Sequence, residues 1–251
     1  MRVAALYDIH GNLPALEAVL GEVRQETVDQ IVIGGDVVPG PMPIQVLELL
    51  HRLDVPVDFI HGNGDREVLA RMRGTETSWY RDARDEWRVP VRWTAEQLGP
   101  EHQRTLGSWP ATLHLEVADV GDVLFCHATP HNDTDCFTRQ TPDARVLSLL
   151  GAVDVPLVVC GHTHMQFDRH VANVRVINAG SVGMPFGVSG AYWLLLGPDV
   201  QLRCTTYDLD EAARRIRATD YPQAKEFAAH NVLQPPSEQE MFEAFGRADL
   251  N

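Results

Sequence analysis

An α/β fold is predicted for this chain by three observations. Strand-like and helix-like segments alternate through its first part, the early strands are short apolar runs, and chemistry-bearing residues recur just past strand ends. Alternation of this kind implies a parallel sheet with right-handed crossovers.

The first strand is "RVAALYD", apolar with an aromatic member, and "NLPALEAVLGEVRQE" follows as a helix with Leu13, Leu16, Val19, Leu20 and Val23 at helical spacing. Asn12 is placed to cap that helix, with Pro14 in its first turn. "DQIVIGGD" is a second buried strand, "PIQVLELLHRL" a second helix and "PVDFIHGNGD" a third strand. "REVLARMRG" reads as a helix, with Asp65 as its cap. The arginine- and acid-rich stretch at about 74–110, with Trp79, Trp87, Trp93 and Trp109, reads as a helical insertion. Its tryptophans either form a small lid core or stack on a nucleobase. Further on, "TLHLEVADVGDVLFCHA" predicts a hairpin, as does "QFDRHVANVRVINAGS" with Ala172 and Asn173 at its turn. "GAYWLLLGPDVQLRCTTYDL" supplies a last strand pair, and "DEAARRIRATD" and "SEQEMFEAFGRA" two helices joined by "LQPPS". The expected organisation is a catalytic domain over 1–210 carrying the insertion, then a helical extension over 211–251.

Composition narrows the function classes. With 44% hydrophobic and 22% charged residues and no apolar run long enough to cross a bilayer, the chain reads as a soluble, cytoplasmic protein without a membrane partner. Asp8 and His10 interrupt the N-terminal apolar stretch before a signal-peptide core forms. Cys126, Cys136, Cys160 and Cys204 form no C-x-x-C pair, so they are read as reduced thiols without assigned chemistry. A formal charge of −14 disfavours nucleic-acid polymers as partners.

Five fragments follow successive strands: "YDIHG", "GGDVVPG", "HGNGD", "CHATP" and "CGHTH". In open α/β sheets, ligands bind at the carboxyl ends of strands. Each fragment alone has a bland reading: Asp8 as a helix cap, Asn63 in a glycine-rich turn, His127 as a satisfied buried histidine. Together they supply Asp8, His10, Asp36, Asn63, His127, His162 and His164. Oxygen and nitrogen donors without a thiolate suit divalent Mn, Fe, Zn, Co or Ni. Seven ligands exceed one ordinary zinc centre and fit two ions about 3.5–4 Å apart.

In this order D-x-H, G-D, G-N, a lone His and G-H-x-H resemble the calcineurin-like metallophosphoesterase family, over about residues 1–208, and within it the small YfcE-like phosphodiesterase branch. The resemblance implies a four-layer α/β/β/α sandwich. It also implies that Asp8, His10 and His164 hold one metal, Asn63, His127 and His162 the other, and that Asp36 bridges them. Two divalent ions against Asp8 and Asp36 leave a charge of about +2, which lets an acidic protein attract phosphate. The implied activity is hydrolysis of a small phosphorylated substrate by a metal-bridging hydroxide, with Asp36, Asn63 and His127 as catalytic residues and manganese the ion expected in vitro.

The sequence departs from the family pattern at Gly64, where many members place a proton-donating histidine. Loss of that acid favours a phosphodiester or activated ester over a simple monoester. His131 is a candidate replacement acid and substrate contact, or else a solvated loop histidine. Arg66, with Asn63, is a candidate phosphate contact, or else a surface arginine paired with Glu67 or Asp65. The alternatives in function are a phosphomonoesterase or protein phosphatase of the same fold, and a noncatalytic metal-binding scaffold.

Overall fold

The computed structural model describes residues 1–248. The chain begins β1 (Val3–Leu6), α1 (Leu13–Gln25), β2 (Gln30–Ile33), α2 (Pro43–His51), β3 (Val57–Phe59) and α3 (Asn63–Met72), the alternation expected. Helices α4 (Ser78–Asp82), α5 (Asp85–Gln97) and α6 (Pro100–Leu106) occupy the helical stretch that follows. Next come β4 (Thr112–Val117), β5 (Gly121–Cys126), α7 (Asp143–Leu150), β6 (Leu157–Cys160), β7 (Phe167–Val171), β8 (Val174–Asn178), β9 (Ala191–Leu196) and β10 (Val200–Thr205). Helix α8 (Leu209–Arg217), α9 (Ala224–Phe227) with a π-helical turn over Ala228–Leu233, and α10 (Glu238–Ala248) complete the described residues. Neither α9 with its π-helical turn nor helix α7 has a counterpart among the expected elements. Only Val146 and Leu150 of α7 are buried, a stripe too short to show a period.

Two five-stranded mixed sheets form, in the orders β10-β9-β1-β2-β3 and β4-β5-β6-β8-β7. The β1–β2 and β2–β3 pairs are parallel, as are β5–β6 and β6–β8, while the three expected hairpin pairs are antiparallel.

Strand alternation explains the layers. Val3, Ala5 and Tyr7 face one way and pack with Phe125, Val159 and Ile177 of the other sheet. Ala4 and Leu6 face the other way, onto Leu16, Val19 and Leu20 of α1 and Val46 and Leu47 of α2. In the second sheet Leu124, Cys126, Val158 and Cys160 turn outward to Val146 and Leu150 of α7. The result is the four-layer α/β/β/α sandwich, with its central core between the sheets.

Helices at the chain's end add a fourth apolar cluster, in which Ala212, Ile216, Tyr221 and Phe227 pack with Met42, Leu13, Trp93 and Met184. Trp93 meets Tyr221 edge-on at 5.2 Å, and Trp109 stacks on Phe59 at 4.8 Å, so these two tryptophans are packing residues. Trp79 and Trp87 stay exposed. Among the described residues no helix is long and apolar enough to cross a membrane.

Candidate metal centre

Three strands of the first sheet and two of the second end at the same edge of the sandwich, and the predicted residues lie just beyond them. Backbone bonds lace the two loops of the first sheet together: Asp8 N to Gly35 O at 3.1 Å, His10 N to Asp36 O at 2.9 Å and Gly11 N to Val37 O at 2.9 Å. His162 N donates to Asp8 Oδ2 at 2.9 Å, which joins the sheets. The backbone is strained here. Asp8, His10, Asp36, His162 and His164 all have φ between 47° and 63°, the left-handed region that residues with a Cβ avoid. Each such residue costs about 1–3 kcal/mol and persists only where its surroundings over-determine it. Gly35, at φ 92°, is required for another reason: a Cβ there would stand 2.5 Å from Gly62 N and 2.8 Å from His127 Nδ1.

The side chains converge closely. Asp8 Oδ1 lies 3.2 Å from His164 Nε2, 3.8 Å from His10 Nε2 and 3.9 Å from His127 Nε2. Asp36 Oδ2 stands almost equally far from His10 Nε2, at 3.7 Å, and His127 Nε2, at 3.6 Å. His10 and His164 approach at 3.4 Å through their Nε2 atoms, and Asn63 Oδ1 is 3.1 Å from His127 Nε2. Two overlapping buried groups result, Asp8 with His10 and His164, and Asp8 with Asp36 and His127.

The ring orientations are set from outside. His127 Nδ1 is 3.0 Å from the Gly34 carbonyl, His164 Nδ1 is 2.7 Å from the Met184 carbonyl, and the His10 ring bonds the Pro39 carbonyl. A carbonyl only accepts, so Nδ1 of His127 and of His164 donates, and Nε2 is the atom each ring turns inward, where it offers a lone pair to a cation once its own proton is absent. Asp8 Oδ1, wholly buried, has no hydrogen-bond donor. Acceptors thus face acceptors, an arrangement that a cation satisfies, and the donor set fits divalent metal.

Electrostatics follow from burial and crowding. Burial pushes His10 and His162 down to about 3, keeping both neutral. Burial, then the neighbouring Asp8, raises Asp36 well above the usual carboxylate range. For Asp8 burial acts upward, but His164, with His127 and His10, outweighs it and holds the carboxyl low. Burial acts downward on His164, and Asp8 overcomes it to raise the imidazole.

Six of the seven predicted ligands come together in this way. The seventh, His162, stands edge-on beside His127 with ring centroids 5.2 Å apart, and its Nε2 is 3.5 Å from Cys136 Sγ. Cys136 therefore borders the centre, which its lone position in the sequence did not signal. Arg66 is held in a fork by Asp133, with Nε–Oδ2 2.7 Å and Nη2–Oδ1 3.0 Å, and bonds Glu67 as well. The Glu67 pairing is one that the sequence offers, whereas the Asp133 pairing joins residues 67 apart. His131 corrects an expectation. Thr129 Oγ1 bonds Asn132 O and Asp135 Oδ2, knotting the loop so that His131 is exposed and lies against Gly151, where a Cβ would stand 2.8 Å from its Nε2. Gly151 follows the far end of α7, which returns from the site edge between parallel β5 and β6. The structure does not bring His131 to the cluster.

Gly64 is explained by space. Its N–H donates to Asp36 Oδ1 at 2.7 Å, and a Cβ would meet Val38 O at 2.6 Å and Pro39 Cδ at 2.9 Å. Asp65 caps α3 through Gly62 N at 3.0 Å and also accepts from Val38 N at 3.0 Å, clamping the overhanging loop. A histidine at 64 has no room. Gly64→Ala is expected to lower stability by about 1–3 kcal/mol through overpacking, read as a lower denaturation midpoint at unchanged slope. An unshifted midpoint would show that the 38–39 loop yields freely.

Comparisons with known proteins agree with this architecture. Residues 1–197 match the Calcineurin-like phosphoesterase superfamily domain. The uncharacterized protein MJ0912 of Methanocaldococcus jannaschii is 26% identical over 241 residues, covering 88% of this chain and 94% of that protein. Among solved structures, the hypothetical protein PH1004 of Pyrococcus horikoshii OT3 superposes with a TM-score of 0.79 at 21% identity, over 94% of this chain and 99% of that one. A metallophosphoesterase from Sphaerobacter thermophilus gives 0.71 at 26% identity, over 91% and 98% of the two chains. The matched domain runs through both sheets as far as β9, and the chain belongs to the calcineurin-like phosphoesterase superfamily.

Proposed function

We propose that this protein is a dinuclear metal-dependent phosphoesterase that hydrolyses a small phosphorylated compound, a phosphodiester in preference to a simple monoester. The observation that carries the reading is the orphaned Asp8 Oδ1 among inward-facing imidazole lone pairs. Asp8, His10 and His164 would hold one ion and Asn63, His127 and His162 the other, with Asp36 placed to serve both. Mn, Fe, Zn, Co or Ni suits these donors. Bound there, the ions supply Lewis acidity toward phosphoryl oxygens and activation of water.

The chain's own residues do the rest. The backbone bonds from Gly34 and Met184 keep His127 and His164 aimed inward, so that no ring must reorganise during turnover. Asn63, at the first turn of α3, turns Oδ1 toward His127 and offers its amino group to a phosphoryl oxygen. Arg66 spends its charge on Asp133 and Glu67 and serves to position Asp133 rather than to clamp phosphate.

The diester preference rests on Gly64 and on the remoteness of His131. Neither place expected to hold a leaving-group acid does so, and such an acid is worth roughly 10²–10⁴-fold in rate. Metal-loaded protein is expected to favour an aryl diester over an alkyl monoester by a factor in that range, and His131→Ala to leave both rates within about twofold. Equal rates on the two esters would defeat the diester reading.

Asp36→Asn is expected to lower bound metal below two per chain and to depress turnover by more than the 10–100-fold typical of residues behind the ligands. Metal content by elemental analysis and steady-state kinetics check it together. Two ions retained with normal rates would remove Asp36 from the centre.

Metal uptake should also depend on pH. Asp36 and His164 hold their protons to higher pH than ordinary carboxyls and imidazoles, so an ion must displace protons, and affinity falls as pH falls. Calorimetry in two buffers of different ionisation enthalpy measures the protons released. An affinity independent of pH would contradict this charge distribution.

A further inference from the structure

Helix α10 lies across two loops that border the cluster. In one loop Phe186 stacks on the His164 imidazole, with ring centroids 5.0 Å apart and planes inclined by 18°. Phe245 of α10 adds a second ring 6.2 Å from Phe186 at 52°. In the other loop Arg139 grips Glu238 of α10 with Nη1–Oε1 2.8 Å and Nη2–Oε2 2.5 Å, and its guanidinium stands 4.6 Å from the Phe242 ring. That loop also carries Cys136, the neighbour of His162. The chain leading into α10 is pinned as well, through Gly187 N to Pro236 O at 2.8 Å and Ser189 Oγ to Leu233 O at 3.2 Å. The helix is therefore fixed to both flanks of the rim beside His162 and His164.

We propose that Phe186 and Phe245 form an aromatic subsite for an uncharged, planar substituent of the substrate, the ester group that is not expelled. This rests on the phosphoesterase reading and specifies its substrate class. Asn63 and Gly64 flank the cluster through His127 and Asp36, whereas Phe186 flanks it through His164. The two substituents of a bound diester would thus face different walls. Both phenylalanines are half-buried, so neither is sealed in the core, and an aromatic ring at such a place suits stacking on a flat group. Arg139, the cation that anchors this wall, is neutralised by Glu238, so the wall presents aromatic surface in place of a site for a second phosphate.

The test compares bis(4-nitrophenyl) phosphate with methyl 4-nitrophenyl phosphate, which share a leaving group and differ in the substituent that stays. Metal-loaded full-length protein is expected to favour the bis-aryl ester by about tenfold, through KM. Phe245→Ala should bring the ratio near one and leave the methyl ester within about twofold, while Phe245→Tyr, which retains the ring, preserves the ratio. A wild-type ratio near one, or a ratio unchanged in Phe245→Ala, overturns the subsite. If neither ester is turned over, the phosphoesterase reading has failed, and calorimetry with diphenyl and dimethyl phosphate then decides the subsite alone. About tenfold tighter binding of the diphenyl ester, lost in Phe245→Ala, supports it, and equal binding in both proteins overturns it.

Discussion

Lone pairs turned toward one another set the terms for the rest of this molecule. Asp8 Oδ1, Asp36 Oδ2 and the Nε2 atoms of His10, His127 and His164 crowd together on buried side chains. In such a low-dielectric place the repulsion between Asp8 and Asp36 is large, and the attraction of Asp8 for His164 works against it. The arrangement endures because it is imposed from outside, by carbonyls gripping the far sides of the rings and by amides gripping the carboxylates. The left-handed backbone at Asp8, His10, Asp36, His162 and His164 is the visible cost of that imposition.

The same constraint explains why the central layer matters to chemistry as well as to stability. Asp8, His10, Asp36 and Asn63 are carried by one sheet, and His127, His162 and His164 by the other. Their spacing is only as firm as the contact between the sheets. Tyr7, one residue before Asp8, is wholly buried in that contact, and its hydroxyl donates to Val159 O of the opposite sheet at 3.1 Å. A bond of this kind adds about 0.5–1.5 kcal/mol to stability, but its position ties the register of one half-site to the other.

Much of this was legible in the amino-acid order, for a physical reason. Strand ends are found from short apolar runs, and metal-binding side chains are few in kind, so D-x-H, G-D, G-N and G-H-x-H announce both place and chemistry. Directions of side chains on loops are a different matter. His131 stands four residues after His127, yet the Thr129 knot turns it toward Gly151, and no spacing encodes that knot. Arg66 reads as a phosphate contact or as a partner of Glu67 or Asp65, while its main partner, Asp133, is 67 residues away. Helix α7 escaped notice because two buried residues make no period. Phe186 and Phe245 were unreadable for a related reason: ordinary aromatics acquire a role only where the fold sets them beside His164.

The overhang of Val38 and Pro39 above Gly64 has a consequence for substitution. Residue 64 and the 38–39 loop occupy each other's space, and Asp65 fastens that loop with the same carboxylate that starts α3. A side chain at 64 enters only as the loop gives way, so what one place tolerates depends on what the other holds. The loop in turn has no reason to retreat while glycine leaves its place filled. Two sites that are far apart in sequence are thereby coupled, and a change at one is expected to need a matching change at the other.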